Sequence, residues 1–106
     1  MRSIGERSND PSLLVLTSLA DGPKHGYAIT ADVQELAGVN LGPGTLYGAL
    51  SRLEDRGLIE ALPVDDRRRP YRLTSSGRSA LEEQLRSLET VATRGLRRLR
   101  AAEVSP

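Results

Sequence analysis

PGTLYGALSRLEDRGLIE, residues 43–60, holds a helix that ends on a glycine and passes at once into a strand. Leu46, Ala49, Leu50 and Leu53 recur at helical spacing and turn one side towards a core. The other side carries Gly44, Thr45, Gly48, Ser51, Arg52 and Asp55, with Tyr47 at its edge. Its first half is small and polar, without an acidic residue before Glu54. Small residues let a helix backbone approach the DNA major groove, hydroxyls reach phosphates or bases, and Arg52 reaches further. A merely solvated helix face reads the same way, so the neighbouring segments decide.

Upstream lie two more helices. Asp10-Pro11-Ser12 is a helix start, with Asp10 or Ser12 near the cap and Pro11 in the first turn. Leu13, Leu14, Leu16 and Leu19 follow at helical spacing, until Asp21-Gly22-Pro23 stops the helix. A second helix is expected over 25–36, with Tyr27, Ile29, Val33 and Leu36 as its apolar positions and Ala37-Gly38 as its end. The short link 39–45 then delivers the chain to the third helix, expected over 44–56, where Pro43 suits the first turn. Residues 1–10 are polar and without period, which reads as a loose N-terminal arm.

Downstream the period changes. Residues 58–63 and 71–74 are short and strand-like, and 64–70 join them as a hairpin with a charged tip. A hairpin after a helix-turn-helix is a wing that lies beside the recognition helix. Its tip carries Arg67, Arg68 and Arg69, and neutralising phosphate supplies most of a protein's non-specific affinity for DNA. Asp65 and Asp66 partly offset that charge, and the other use of three arginines is to keep a loop soluble. The expected fold class is mainly α, an α+β winged helix-turn-helix with a three-helix core, a two-stranded β wing and a long C-terminal helix.

That last helix is expected from a cap among Thr74, Ser75 and Ser76 to about residue 102. Leu81, Leu85, Leu88, Ala92, Gly95, Leu99 and Ala102 form an alternating four-three stripe, widened by Val91 and Leu96. A helix of that length outruns a compact domain of this size, so part of the stripe would face water in a lone copy. Burial against a second copy is the economical answer, with Leu13 and Leu16 of the first helix packing into the seam. Folding back as a cover on its own domain is the alternative. Gly95, a poor helix former, is compatible with close helix approach, a kink or a small cavity for a ligand. The expected division is an arm over 1–10, a DNA-binding domain over 11–74 and a dimerisation helix over 75–106.

Composition narrows the remaining classes. The chain has 106 residues, one domain's worth, with 38% hydrophobic residues and neither Phe nor Trp, so Leu, Val, Ile and Ala build the core. The absence of Cys removes disulfides and thiolate metal sites. Residues 1–60 carry 5 Lys/Arg against 8 Asp/Glu, whereas 61–106 carry 10 Arg against 6 Asp/Glu. The positive charge is thus local and, in the second part, entirely arginine, whose planar fork suits phosphate. No run approaches a membrane span and no secretory segment opens the chain, which makes the cytoplasm the expected location and a membrane role unexpected. With one His and no Cys, no triad, metal cluster or phosphate loop is visible. Ser75-Ser76-Gly77 reads as a cap rather than a nucleophile. No catalytic residue, metal or cofactor is expected.

His25-Gly26-Tyr27, the stretch 43–50, Leu53-Glu54 with Gly57-Leu58-Ile59-Glu60, and Tyr71-Arg72-Leu73-Thr74 with Gly77 together resemble the PadR family of bacterial winged-helix regulators, over residues 12–82. The resemblance implies a homodimeric transcriptional regulator, a repressor that binds a palindromic operator in double-stranded DNA and is released by a small effector at or near the dimer interface. The single terminal helix resembles the subgroup with one dimerisation helix. By that pattern Pro43, Gly44, Thr45, Tyr47, Gly48, Ser51 and Arg52 face DNA while Arg67, Arg68 and Arg69 contact its backbone. Tyr27 either touches phosphate or packs, with packing favoured. His25 caps or braces the second helix. The wing lacks the glycines common at its tip, and no aromatic residue of the fourth helix is there to stack a flat effector. A winged-helix module that binds another protein without reading DNA is the alternative, which the acidic first half allows.

Overall fold

Residues 10–104 are described by a computed structural model of the chain; of the arm expected over 1–10, residues 1–9 lie outside them and Asp10 belongs to the first helix as its cap. Asp10 caps the first helix, its carboxylate accepting the Ser12 N–H at 3.4 Å, and Pro11 occupies the first turn. This helix, α1 (Pro11–Ser18), buries Leu13, Leu14, Val15, Leu16 and Ser18. Four consecutive buried residues mean that α1 is covered on every side, since α2 (Gly26–Ala37), α3 (Pro43–Asp55) and α4 (Ser75–Val104) all contact it. It is the central strut rather than a surface helix. A 3-10 turn at Leu19–Asp21 follows.

α2 ends on Gly38, whose left-handed backbone (φ 67°) closes the helix. α3 ends before Gly57, also left-handed at φ 72°. Leu46, Ala49, Leu50 and Leu53 are buried, as the spacing predicts, and join Ile29 and Val33 of α2 in one core.

The sheet is larger than the sequence reading. Two strands were expected, and β2 (Ile59–Ala61) and β3 (Pro70–Leu73) do pair antiparallel, with Ile59 opposite Leu73 and Ala61 opposite Tyr71. A third strand, β1 (Lys24–His25), lies on the other edge of β3, with Lys24 opposite Tyr71 and His25 opposite Pro70. The order is β1-β3-β2. The base of the wing is therefore stitched to the start of α2.

Thr74 joins the sheet to α4. Its hydroxyl accepts the Gly77 N–H at 3.0 Å and donates to the Gly57 carbonyl at 2.7 Å, while its own N–H reaches the Leu58 carbonyl at 3.1 Å. The first turn of α4 is pressed onto the backbone of Leu58, which only a glycine at position 77 permits. Leu81 is buried and Leu88 half-buried against the core. From Glu89 to Glu103 every residue is exposed. The molecule measures 63 × 27 × 23 Å, and its long dimension reflects this projecting helix.

One buried polar link braces the domain. Ser18, 1% exposed, donates its hydroxyl to Asp32 of α2 at 2.7 Å. Lys24 donates to the Ser18 carbonyl and pairs with Asp21, whose carboxyl its ammonium holds below the usual range. Ser18→Ala should lower unfolding stability by about 1–2 kcal/mol, because the Asp32 carboxylate loses a charge-assisted donor. A urea midpoint unchanged from the wild type would show that the link contributes nothing.

Candidate nucleic-acid interface

The outer face of α3 is open to solvent. Gly42, Pro43, Gly44 and Thr45 are exposed, as are Ser51 and Arg52, and Gly48 is half-buried. Gly42 starts the helix without a side-chain cap, and no acidic residue occupies the first turn. The backbone N–H groups there are thus left to outside partners, with the positive end of the helix dipole behind them. Arg52 lies back along the helix, its Nη1 being 3.3 Å from where a β-carbon on Gly48 would stand.

Tyr47 is 56% exposed, yet its position is defined. A β-carbon on Gly26 would stand 2.9 Å from the Tyr47 hydroxyl and 3.4 Å from Cζ, so the ring crosses the first turn of α2 at its one side-chain-free residue. Sequence reading marked Gly26 only as part of a motif; its use is to seat this ring. Tyr71 of β3 is half-buried, and its phenol is pushed above the ordinary tyrosine range by burial first, then by the Glu54 carboxylate and Tyr47.

Tyr27 departs from the packing favoured for it. It is 77% exposed, because Ile29 and Val33 turn the opposite face of α2 to the core. It stands in solvent in the first turn of α2, next to the glycine under Tyr47. His25 stands at the cap position of this helix, its Nδ1 3.4 Å from the Ala28 nitrogen.

The tip of the wing is a tight turn. Asp65 and Arg68 exchange both backbone hydrogen bonds, at 2.8 and 2.9 Å, across Asp66 (φ 48°) and Arg67 (φ 66°). Two left-handed central residues match the right-handed twist of a two-residue hairpin. The turn forms without glycine, and Arg67 holds a conformation that costs a non-glycine residue roughly 1–2 kcal/mol. The three arginines then separate. Arg67 is on the turn itself, Arg68 Nη1 lies 3.1 Å from His25 Nε2, and Arg69 donates to the Leu62 carbonyl at 2.8 Å. Arg72 pairs with Glu60 across β2 and β3. The start of α2 is the junction of the whole surface: Gly26 carries Tyr47 of α3, and His25 meets Arg68 of the wing.

The residues read as a seam divide in two. Leu13, Leu16 and Leu81 are 4%, 3% and 4% exposed within one chain. Leu13, Leu16 and Leu81 are therefore core residues rather than seam residues, and Leu88 is half-buried on the same core: the central position of α1 and the first turns of α4 on the domain consume their surface. Leu85 is 40% exposed, Leu96 61% and Leu99 65%, and Ala92 and Gly95 are exposed beside them. Val91, which widens the stripe, is exposed as well. Among the described residues no group of three or more His, Asp or Glu side chains is placed to hold a metal ion, and no helix is long and apolar enough to cross a membrane.

Comparison with known proteins agrees with this architecture. Residues 15–83 match the model of the Transcriptional regulator PadR-like family. Transcriptional regulator Rv3488 of Mycobacterium tuberculosis is 47% identical over 85 residues, covering 76% of this chain and 77% of that protein. An uncharacterized 37.1 kDa protein in transposon TN4556 of Streptomyces fradiae is 49% identical over 88 residues, 83% of this chain; this chain spans only 26% of its length. Among solved structures, Bacillus subtilis PadR in complex with operator DNA superposes with a TM-score of 0.61 at 28% identity, covering 70% of this chain and 45% of that one.

Proposed function

This chain belongs to the transcriptional regulator PadR-like family, and we propose on that footing that it is a sequence-specific DNA-binding protein, a homodimeric repressor of a palindromic operator. The observation that carries the reading is the junction at the start of α2. Tyr47 rests on Gly26 and Arg68 meets His25, so the exposed face of α3 and the arginine-bearing turn form one adjoining surface. Pro43, Gly44, Thr45, Tyr47, Gly48, Ser51 and Arg52 would face base edges and sugar-phosphate in the major groove. Arg67, Arg68 and Arg69 would meet phosphates beside it, and the exposed Tyr27 offers its hydroxyl to the same backbone. The similar B. subtilis protein solved with operator DNA supports DNA as the partner.

In the proposed organisation residues 11–74 read DNA and 75–106 pair two copies. A small effector would lodge where the seam is most thinly filled, around Ala92 and Gly95. With no aromatic residue on α4, Leu side chains rather than stacking would hold it.

Gel shift and salt titration against the protein's own upstream region test the reading. Tyr47→Ala should weaken binding to a specific site by about tenfold to a hundredfold, as losing a base-edge contact does, and barely change non-specific binding. Arg67→Ala should weaken all sequences alike and flatten the logarithmic salt slope by about one unit. No specific shift at low salt, or two variants that bind like the wild type, would overturn it. A protein that captures another protein but no duplex would instead be an interaction module.

A further inference from the structure

Two groups compete for one lone pair on His25. The Ala28 N–H points at Nδ1 from 3.4 Å, and the Arg68 guanidinium, which can only donate, stands 3.1 Å from Nε2. A neutral imidazole has one accepting nitrogen and one N–H, and an imidazolium has none to accept with. The two contacts therefore cannot both be hydrogen bonds at once. With the proton on Nδ1, His25 accepts from the wing and leaves the first turn of α2 uncapped. With the proton on Nε2, it caps α2 and turns an N–H towards Arg68, which is released.

We propose that His25 is a positioning residue for the wing: its imidazole tethers Arg68 in the free protein, and capture of Arg68 by a phosphate moves the imidazole to its α2-capping tautomer. The change is balanced through water, one proton leaving Nδ1 as another arrives at Nε2. The residues it tightens are those under the recognition surface. Gly26, which seats Tyr47, and the exposed Tyr27 both lie in the turn that the cap closes. Engagement of a phosphate by the wing is thereby felt at α3. The tether and its competition with the cap stand on geometry alone; only the phosphate step rests on the DNA-binding reading.

His25 is the only histidine of the chain, so its two ring nitrogens give an unambiguous nitrogen-15 spectrum. In the free protein, near pH 8, the Nδ1–H pattern should be well populated. Arg68→Ala should shift the ring to the Nε2–H pattern and slow amide exchange at Ala28. A ring unchanged by Arg68→Ala overturns the tether. Adding a random-sequence duplex at low salt to the wild type should reproduce the Arg68→Ala pattern. A duplex that binds without moving the ring overturns the phosphate step. Failure of any duplex to bind sinks the DNA reading instead, and the Arg68→Ala comparison still decides the tether. His25→Asn, whose short amide can cap but not reach the wing, should fold with an unfolding midpoint no lower than the wild type's and make Arg68→Ala silent at the Ala28 amide; persistence of the exchange difference in that background would also overturn it.

Discussion

Gly77→Ala should destabilise the protein severely, whereas the same substitution at Gly95, on the same helix, should make it more stable. A β-carbon at position 77 would overlap the Leu58 carbonyl oxygen and stand 2.8 Å from its carbon and 3.2 Å from its α-carbon. These are backbone atoms, unable to swing aside. Moving α4 away would break the Thr74 bonds to Gly57 and Leu58, and with them the capping of α4 against β2. Overpacking of this kind costs about 3 kcal/mol or more, a large share of the roughly 5–15 kcal/mol that holds a domain together. A fall in melting temperature of more than about 10 °C should follow. Nothing in its own copy lies within 4 Å of a β-carbon at Gly95, and the proposed seam is thinly filled there, so alanine has room and gains helix propensity, about 1 kcal/mol. Thermal unfolding of the two variants side by side checks both signs. A Gly77→Ala protein that melts with the wild type would mean that α4 does not rest on Leu58.

Features whose cause is local were legible in the sequence. The α3 stripe, the stops at Gly38 and Gly57, and the caps at Asp10 and Thr74 all depend on residues within one or two turns of each other, where spacing carries the information. What escaped depends on distance. β1 is two residues long and has no period to read, and only pairing with β3 makes it a strand. Leu13 and Leu16 share their spacing with a surface stripe, but α1 is enclosed by three helices and its leucines have no outward side. Tyr27 sits at an apolar helical spacing that leaves packing and phosphate contact both open; its position, two residues past the cap and opposite Ile29, leaves it in solvent. In the candidate interface the polar face of α3 and the arginines were readable as a set. Their junction was not: Gly26 under Tyr47 and His25 against Arg68, 43 residues apart, exist only once the chain is folded.

Leu96→Glu combined with Leu99→Glu should convert the proposed dimer to a folded monomer and abolish tight binding to a two-fold site. α4 has 30 residues, about 45 Å of helix, and its exposed stretch Glu89–Glu103 has no protein beneath it. A helical segment with no tertiary support is marginal in water, yet this one presents Val91, Leu96 and Leu99 at 68%, 61% and 65% exposure on its surface. Burying each leucine is worth about 1.5–3 kcal/mol, and a second copy supplies the missing surface on both sides of a two-fold axis at once. Charge favours an antiparallel approach. The first half of α4 carries Glu82, Glu83 and Glu89 against Arg78 and Arg86, close to neutral, and the second carries Arg94, Arg97, Arg98 and Arg100 against Glu103, so parallel helices would set two basic ends side by side and antiparallel helices keep them apart. Neither substituted leucine belongs to the protomer core, so the monomer should keep its folded domain and lose helical signal only from the unsupported end of α4. Separating two linked reading heads forfeits the gain of simultaneous engagement, a loss of roughly 10²–10⁴-fold in operator affinity, while each copy keeps its phosphate contacts and its weak non-specific binding. Sedimentation at micromolar concentration distinguishes the outcomes. A wild type that runs as one copy, or a double variant that still pairs, would put the seam elsewhere and leave the apolar face of α4 to a different partner.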